Sequence, residues 1–239
     1  MNLFLSLLFL IPSGPSGLQP AHSDSLTGFV NKTEKVLVYK TRTNTYYPAI
    51  MLRLGVVDFD FQSFNNAPLS LTGQTFRSVM PYAGLSYEFP IKLRSGTSFD
   101  NYVEFNYFIP QDLTQGGSYE ATLKGYSASI ACGRDLISQN KKSDIIVAMG
   151  LTGGLLHYGA INYITNYAGY TYNQTYFGPQ MTVFPRFIFK QLIIGLRGSY
   201  RLDLLKRNWS GDTGASQLPP AVCTGWTAEL VIGVQLGKY

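Results

Sequence analysis

From residue 47 onward the chain runs on a period of two. Eight segments, at about 47–62, 78–92, 101–110, 124–137, 144–158, 175–189, 192–205 and 222–239, alternate bulky apolar positions with small or polar ones. An extended chain points successive side chains to opposite sides, so this alternation predicts strands with two differently solvated faces. In the second segment Val79, Pro81, Ala83, Leu85, Tyr87, Phe89 and Ile91 share one face, opposite Met80, Tyr82, Gly84, Ser86 and Glu88. In the seventh, Leu192, Ile194, Leu196, Tyr200, Leu202 and Leu204 oppose Gly195, Arg197, Ser199, Arg201 and Asp203. The last sets Trp226, Ala228, Leu230, Ile232, Val234 and Leu236 against Thr227, Glu229, Gly233 and Gln235.

The connections carry a second pattern. Long links at 63–77, 111–123, 159–174 and 206–221 alternate with short ones around 94–100, 139–142 and 190–191. A barrel of the bacterial outer membrane has an even strand number, short periplasmic turns, longer outer loops and both termini inside. The expected fold is therefore all-β, an eight-stranded antiparallel transmembrane up-and-down β-barrel over residues 47–239.

Alternation alone does not say which face points inward. The interior of an eight-stranded barrel is just wide enough to be filled by side chains, so the glycine, serine and threonine face, with a few charges, belongs in the lumen. A sheet facing water would carry lysine in mid-strand, yet Lys92, Lys124, Lys141, Lys142, Lys190, Lys206 and Lys238 fall near strand ends or in turns. The bulky face then meets lipid, with Tyr and Phe near strand ends as interfacial girdles. Two places break the phase. Val57, Phe59 and Phe61 take over from Ile50, Leu52, Leu54 and Val56, which calls for a bulge near Val56 or a change of register. Arg134 falls on the apolar face, where a mid-bilayer arginine costs about 2–4 kcal/mol, so it is expected near the interface or past another bulge.

Composition agrees with a surface that water does not cover. Charged residues are only 14% of the chain, and aromatics reach 14%, with 17 Tyr and 15 Phe. Residues 1–21, with an apolar stretch from Leu3 to Ile11 followed by Pro, Gly and Ser, read as a secretory signal peptide without a basic n-region. Residues 22–46 read as a polar, basic periplasmic segment with one short strand at 35–40. No later apolar run approaches the length of a membrane-spanning helix. The net charge of +5 is scattered and accompanies no nucleic-acid motif, so nucleic acid is not expected as a partner. Cys132 and Cys223 lack zinc-ligand spacing and read as structural.

This pattern resembles the small outer-membrane barrel families, the OmpA-like and OmpX-like proteins and the short barrels of Bacteroidota. The resemblance covers residues 47–239 and is one of architecture and topology. The closing segment 225–239 looks like the C-terminal strand that barrel assembly machinery recognises, although Tyr239 is out of phase with Val234 and Leu236. Asp24-Ser25-Leu26 is similar to the short O-glycosylation sequon of Bacteroidota. The resemblance implies residence in the bacterial outer membrane.

Placing the polar face inside puts Arg53, Asp58, Asp60, Glu88, Glu104, Arg186, Arg197, Arg201, Asp203 and Glu229 in or near the lumen. Buried charges persist only when paired, so these form either a salt-bridge network that plugs the barrel or the lining of a narrow conduit. Within residues 47–239 His157 is the one imidazole base, near the outer surface where a lipid A deacylase would need it, but Tyr158 and Gly159 follow it and a His-x-Ser pair is absent. The third long loop and its flanks carry Tyr158, Tyr163, Tyr167, Tyr170, Tyr172 and Tyr176 among Asn162, Asn166, Asn173 and Gly169. Tyrosine among asparagine and glycine makes an adaptable contact surface. Tyr163, Tyr167, Tyr170 and Tyr172 therefore stand as a contact for a partner protein or surface glycan, or else as a self-packed extension of the girdle. The reading is a non-enzymatic barrel with a structural or interaction role, as an accessory subunit of an envelope complex for example, contacting outer-membrane lipid and needing no cofactor. A narrow channel and a lipid A-modifying enzyme are the alternatives.

Overall fold

A computed structural model describes residues 47–66, 75–92, 98–115, 119–137, 142–162, 168–211 and 218–237. The signal segment, the strand expected at 35–40, Asp24-Ser25-Leu26, Tyr163 and Tyr167 lie outside the described residues.

The strands are β1 (Ala49–Asp58), β2 (Val79–Lys92), β3 (Ser98–Gln115), β4 (Tyr119–Asp135), β5 (Ser143–Asn162), β6 (Ala168–Phe189), β7 (Leu192–Arg201), the two-residue β8 (Ser210–Gly211) and β9 (Gly225–Gln235). A one-turn helix α1 (Gln62–Asn65) follows β1. The eight long strands, β1–β7 and β9, are each antiparallel to the next, and the sheet closes where β9 pairs with β1. β8 adds to the edge of β6.

Register fixes the size of the interior. Facing residues followed once around the barrel from Arg186, through Gly195, Val231, Arg53, Gly84, Asn106, Ser127 and Gly154, return to β6 at Tyr176, ten positions away. Such a stagger tilts the strands by about 35–45° and leaves a lumen that side chains fill.

The outward positions are bulky and exposed along the central part of every long strand: Leu52, Leu85, Phe105, Ile130, Met149, Met181, Leu196 and Leu230 all look outward. Tyr107, Tyr126, Phe177, Tyr200 and Trp226 rim this belt toward the loops, and Tyr87, Phe187 and Phe189 rim it toward the turns. From Phe177 to Phe187 along β6 the rise is about 25 Å at roughly 3.3 Å per residue and a tilt near 40°, which is the height of an outer-membrane apolar band. The chain is a transmembrane β-barrel. Arg134 stands exposed at the penultimate position of β4, at the turn end of the belt.

Three expectations need correction. β1 pairs with β2 without interruption from Ala49 to Asp58, so Val56 marks no bulge. Val57, Phe59 and Phe61 keep the inward phase of Met51 and Arg53 and are buried, because the loop-side half of the lumen is itself apolar. Asp58 and Asp60, on the opposite phase, consequently lie outside the lumen; Asp60 is exposed and accepts the Gln62 amide at 2.9 Å.

The third correction concerns the loops. Much of 111–123 and 159–174 is strand: β3 and β4 stay paired out to Gln115 and Tyr119, and β5 and β6 out to Asn162 and Ala168. Links at 116–118 and 163–167 are therefore short, and long and short connections do not strictly alternate. β3–β6 rise past the girdle as a four-stranded wall, while β1, β7 and β9 stop near it. The β3–β4 ladder shifts register between Phe108 and Gln111, around Pro110, which has no amide hydrogen to give the ladder.

Candidate functional site

The lumen is layered. In its middle, Arg53 of β1, Glu104 of β3, Arg197 of β7 and Glu229 of β9 form a closed quartet in which each arginine meets both glutamates. Arg53 Nη1 lies 3.0 Å from Glu104 Oε2 and 3.4 Å from Glu229 Oε2, Arg197 Nε lies 3.6 Å from Glu229 Oε1, and Arg197 also pairs with Glu104. Ser129 Oγ donates to Glu104 at 2.5 Å, and the Arg53 guanidinium donates to Asn106. Register builds this arrangement, since Arg197 and Glu229 are direct partners in the β7–β9 ladder. Gly84 supplies the room: a Cβ there would lie 2.2 Å from Asn106 Oδ1 and 3.0 Å from Arg53 Nη2.

Toward the turns, Arg186 of β6 donates from Nε to Asp144 Oδ1 at 2.7 Å and pairs with Glu88 across the lumen. Asp100 is buried on the same level of the barrel interior. Ala49, Met51, Tyr102, Ile146, Phe184 and Ile193 pack around these ions. Toward the loops, Arg201 lies over the rings of Phe59 and Tyr176, at 4.4 and 5.2 Å, and its Nε donates to the Cys223 carbonyl at 2.6 Å. Asp203 accepts the amides of Leu205 and Lys206 at 3.0 and 3.4 Å, holding the bend after β7.

Above Arg201 the mouth is closed by an aromatic cap. Phe64 of α1 and Phe76 come from the β1–β2 connection, and Trp209 and Leu218 from the β7–β9 connection. They pack on Tyr158 and Tyr172 of the wall's inner face. Trp209 Nε1 donates to the Pro219 carbonyl at 3.1 Å, satisfying its one polar atom.

Of the residues singled out in the sequence, Arg53, Glu88, Glu104, Arg186, Arg197 and Glu229 meet in the two ion clusters. Arg201 and Asp203 are buried nearby without an ion pair between them among the described contacts. Asp100 and Asp144 were not singled out, though Asp100 shares the phase of Tyr102 and Glu104, and Asp144 that of Thr152, which would have placed both inside. Tyr172 is buried and stacked between Tyr158 and Tyr170, with ring centroids 5.9 and 6.4 Å away. It belongs to the cap and not to an exposed contact surface; Tyr170 packs half-buried against the same cluster.

His157 is on the outer face of the wall. Its Nδ1 donates to Asn173 Oδ1 at 2.9 Å, and its ladder partners are Lys124 and Asn173. That hydrogen bond is to a side-chain amide.

No protein-family profile and no curated protein sequence matches the chain. Solved structures of small outer-membrane barrels do. The attachment invasion locus protein Ail of Yersinia pestis is 8% identical, with 80% of this chain and 98% of that one covered and a TM-score of 0.45. A major outer membrane protein from Thermus thermophilus is 10% identical, with 80% and 100% covered and a TM-score of 0.47. Neisserial surface protein A is 11% identical, with 80% and 96% covered and a TM-score of 0.37. The likeness is one of barrel fold alone.

Proposed function

We propose that this barrel is a closed, non-enzymatic outer-membrane protein whose working part is the extracellular wall formed by the loop-side ends of β3–β6. One observation carries the reading: beyond the girdle the wall exchanges the character of its faces. Below it, outward positions are Tyr126, Leu155 and Phe177; above it they include Asp112, Thr122, Lys124, His157, Thr171 and Asn173, with Ile161 an exposed apolar exception. Inward positions there are Leu123, Tyr158 and Tyr172, buried under the cap. The sheet is thereby held rigid from within and presents a polar face to the exterior, suited to a surface glycan or an envelope partner. A filled lumen with paired ions in the middle and aromatic rings at the mouth favours this over a conduit.

The wall can be cut without touching the barrel. Gly159 and Thr171 are ladder partners, so replacing residues 160–170 by a two-residue turn shortens β5 and β6 above the membrane. The shortened protein should keep the heat-modifiable gel mobility of a folded barrel and lose binding to immobilised surface glycans and to purified envelope fractions. Binding equal to that of the full chain would refute the proposal, and stepwise conductance of the purified protein in planar bilayers would favour the conduit instead.

A further inference from the structure

The lipid-facing side of the barrel is indented across β2–β5. Ala128 and Gly153 are partners in the β4–β5 ladder, and their lack of bulk opens a groove of about 600 Å³ walled by Leu85, Phe105, Tyr107 and Tyr126. That volume is in the range of specific small-ligand sites. Tyr107 and Tyr126 belong to the loop-side girdle, so the groove opens in the outer-leaflet half of the belt.

A polar ledge, made of one lysine cation and one hydrogen-bonding imidazole, stands over it. Lys124 and His157 are ladder partners on the same two strands, one outward position above Tyr126 and Leu155, a step of about 6.6 Å. Lys124 is exposed and, among the described residues, has no carboxylate within ion-pair distance. The neighbouring Asp112 accepts the Thr122 hydroxyl at 2.7 Å. Asn173 orients the imidazole from the far side. Lys206 and Arg207 are exposed on the segment that runs beside β6 between the Leu204 amide bond to Phe177 and the pairing of Ser210 with Asn173. They add two cations at the same height.

A charged ledge at headgroup level joined to an apolar slot below it matches an amphiphile with an anionic head and a hydrocarbon tail. A second barrel would match only the slot. We propose that this face binds one molecule of a phosphorylated glycolipid of the outer leaflet, with a phosphate on Lys124 and His157 and an acyl chain in the groove over Ala128 and Gly153. Interfacial cations attract phosphate headgroups, and charge-assisted hydrogen bonds to phosphate oxygens strengthen the contact. The inference depends on the orientation of the barrel and not on what the wall binds.

Native mass spectrometry of the full protein, purified in mild detergent with added lipid, tests it. Hexa-acylated bis-phosphorylated lipid A should remain bound to the unaltered protein, and dephosphorylated lipid A and phosphatidylglycerol should not. Lys124→Gln combined with His157→Gln should lower lipid A retention about ten-fold, a size in keeping with the loss of one interfacial cation together with an imidazole hydrogen bond to phosphate. Gly153→Leu should lower it similarly by filling the groove. A Cβ at Gly153 would meet only the Phe177 ring edge at 3.2 Å and the Tyr176 carbonyl at 3.5 Å, so the barrel accommodates it. Both variants should keep heat-modifiable mobility. Retention unchanged in either folded variant, or equal retention of dephosphorylated lipid A or of phosphatidylglycerol, would overturn the proposal.

Discussion

Arg53 Nη1 and Glu104 Oε2 stand 3.0 Å apart at the centre of the barrel, with each side chain only 1% exposed. Neither charge can be left alone in such a place, since an uncompensated buried ion costs several kcal/mol. Glu104→Gln leaves Arg53 and Arg197 sharing only Glu229, and it should destabilise the folded barrel by about 3–5 kcal/mol. Adding Arg53→Met removes the surplus cation and leaves the Arg197–Glu229 pair balanced. The double variant should then be more stable than Glu104→Gln alone. Urea-driven unfolding from lipid vesicles measures both, and a double variant less stable than the single one would count against a paired network.

Phe59 and Phe105 test the orientation of the sheet with one residue type. Phe59 is 0% exposed inside the lumen, against Phe108, Tyr176 and the Arg201 guanidinium; Phe105 is 64% exposed on the lipid face. Phe59→Ala opens a cavity and should cost about 3–5 kcal/mol. Phe105→Ala exchanges contacts with lipid for contacts with lipid and should cost less than about 1 kcal/mol, as surface substitutions away from special features do. Equal costs in the same vesicle assay would mean that the two faces are misassigned.

The two thiols report on the same faces by a different route. Cys132 is half-exposed on the outward phase of β4, within the lipid belt, and Cys223 is buried under Arg201 at the mouth. Burial pushes the Cys223 thiol up, so its reactive thiolate is scarce. A lipid-soluble maleimide should modify Cys132 in folded protein, a water-soluble one should modify neither, and both should react after denaturation. Labelling of Cys223 in the folded barrel by the water-soluble reagent would show that water reaches the mouth through the cap.

How far the sequence could be read is visible at Lys124 and His157. Below the girdle the bulky phase faces lipid, so the period-two pattern gives strand and face together. Above it the solvent changes from lipid to water while the strand continues, and the bulky phase turns inward to Leu123, Tyr158 and Tyr172. A pattern whose phase reverses reads as a strand end, which is why the wall looks like loops in the sequence. Phe59 and Phe61 escape for a related reason. There Asp58 and Asp60 take over the outward phase and the apolar residues turn inward, beneath a cap built from Phe64 and Phe76 nearby and Trp209 far away in sequence. The central ions are legible because the phases of Arg53, Glu104, Arg197 and Glu229 agree with strands that are regular through the membrane.

The junction between β6 and the segment that follows β7 rests on a missing side chain. A Cβ on Gly178 would lie 1.7 Å from the Leu202 carbonyl oxygen, a backbone atom that cannot move aside without its segment. That segment is bound to β6 by the Leu202 amide to the Pro179 carbonyl at 3.0 Å and the Leu204 amide to the Phe177 carbonyl at 2.9 Å, and Asp203 lies between them. Gly178→Ala must therefore displace the chain after β7 and strain both bonds, each worth about 1 kcal/mol, so a loss of about 2 kcal/mol is expected. Gly159, on the neighbouring strand β5 but above the membrane, has nothing within 4 Å of a built Cβ. Gly159→Ala should be neutral or slightly stabilising, because alanine gives up less backbone freedom on folding. Amide hydrogen exchange resolves the difference by position: in Gly178→Ala it should quicken at Leu202 and Leu204 and stay slow at Arg53 and Glu104. Quickened exchange throughout the barrel would mean that the close approach supports the whole sheet and not the cap alone.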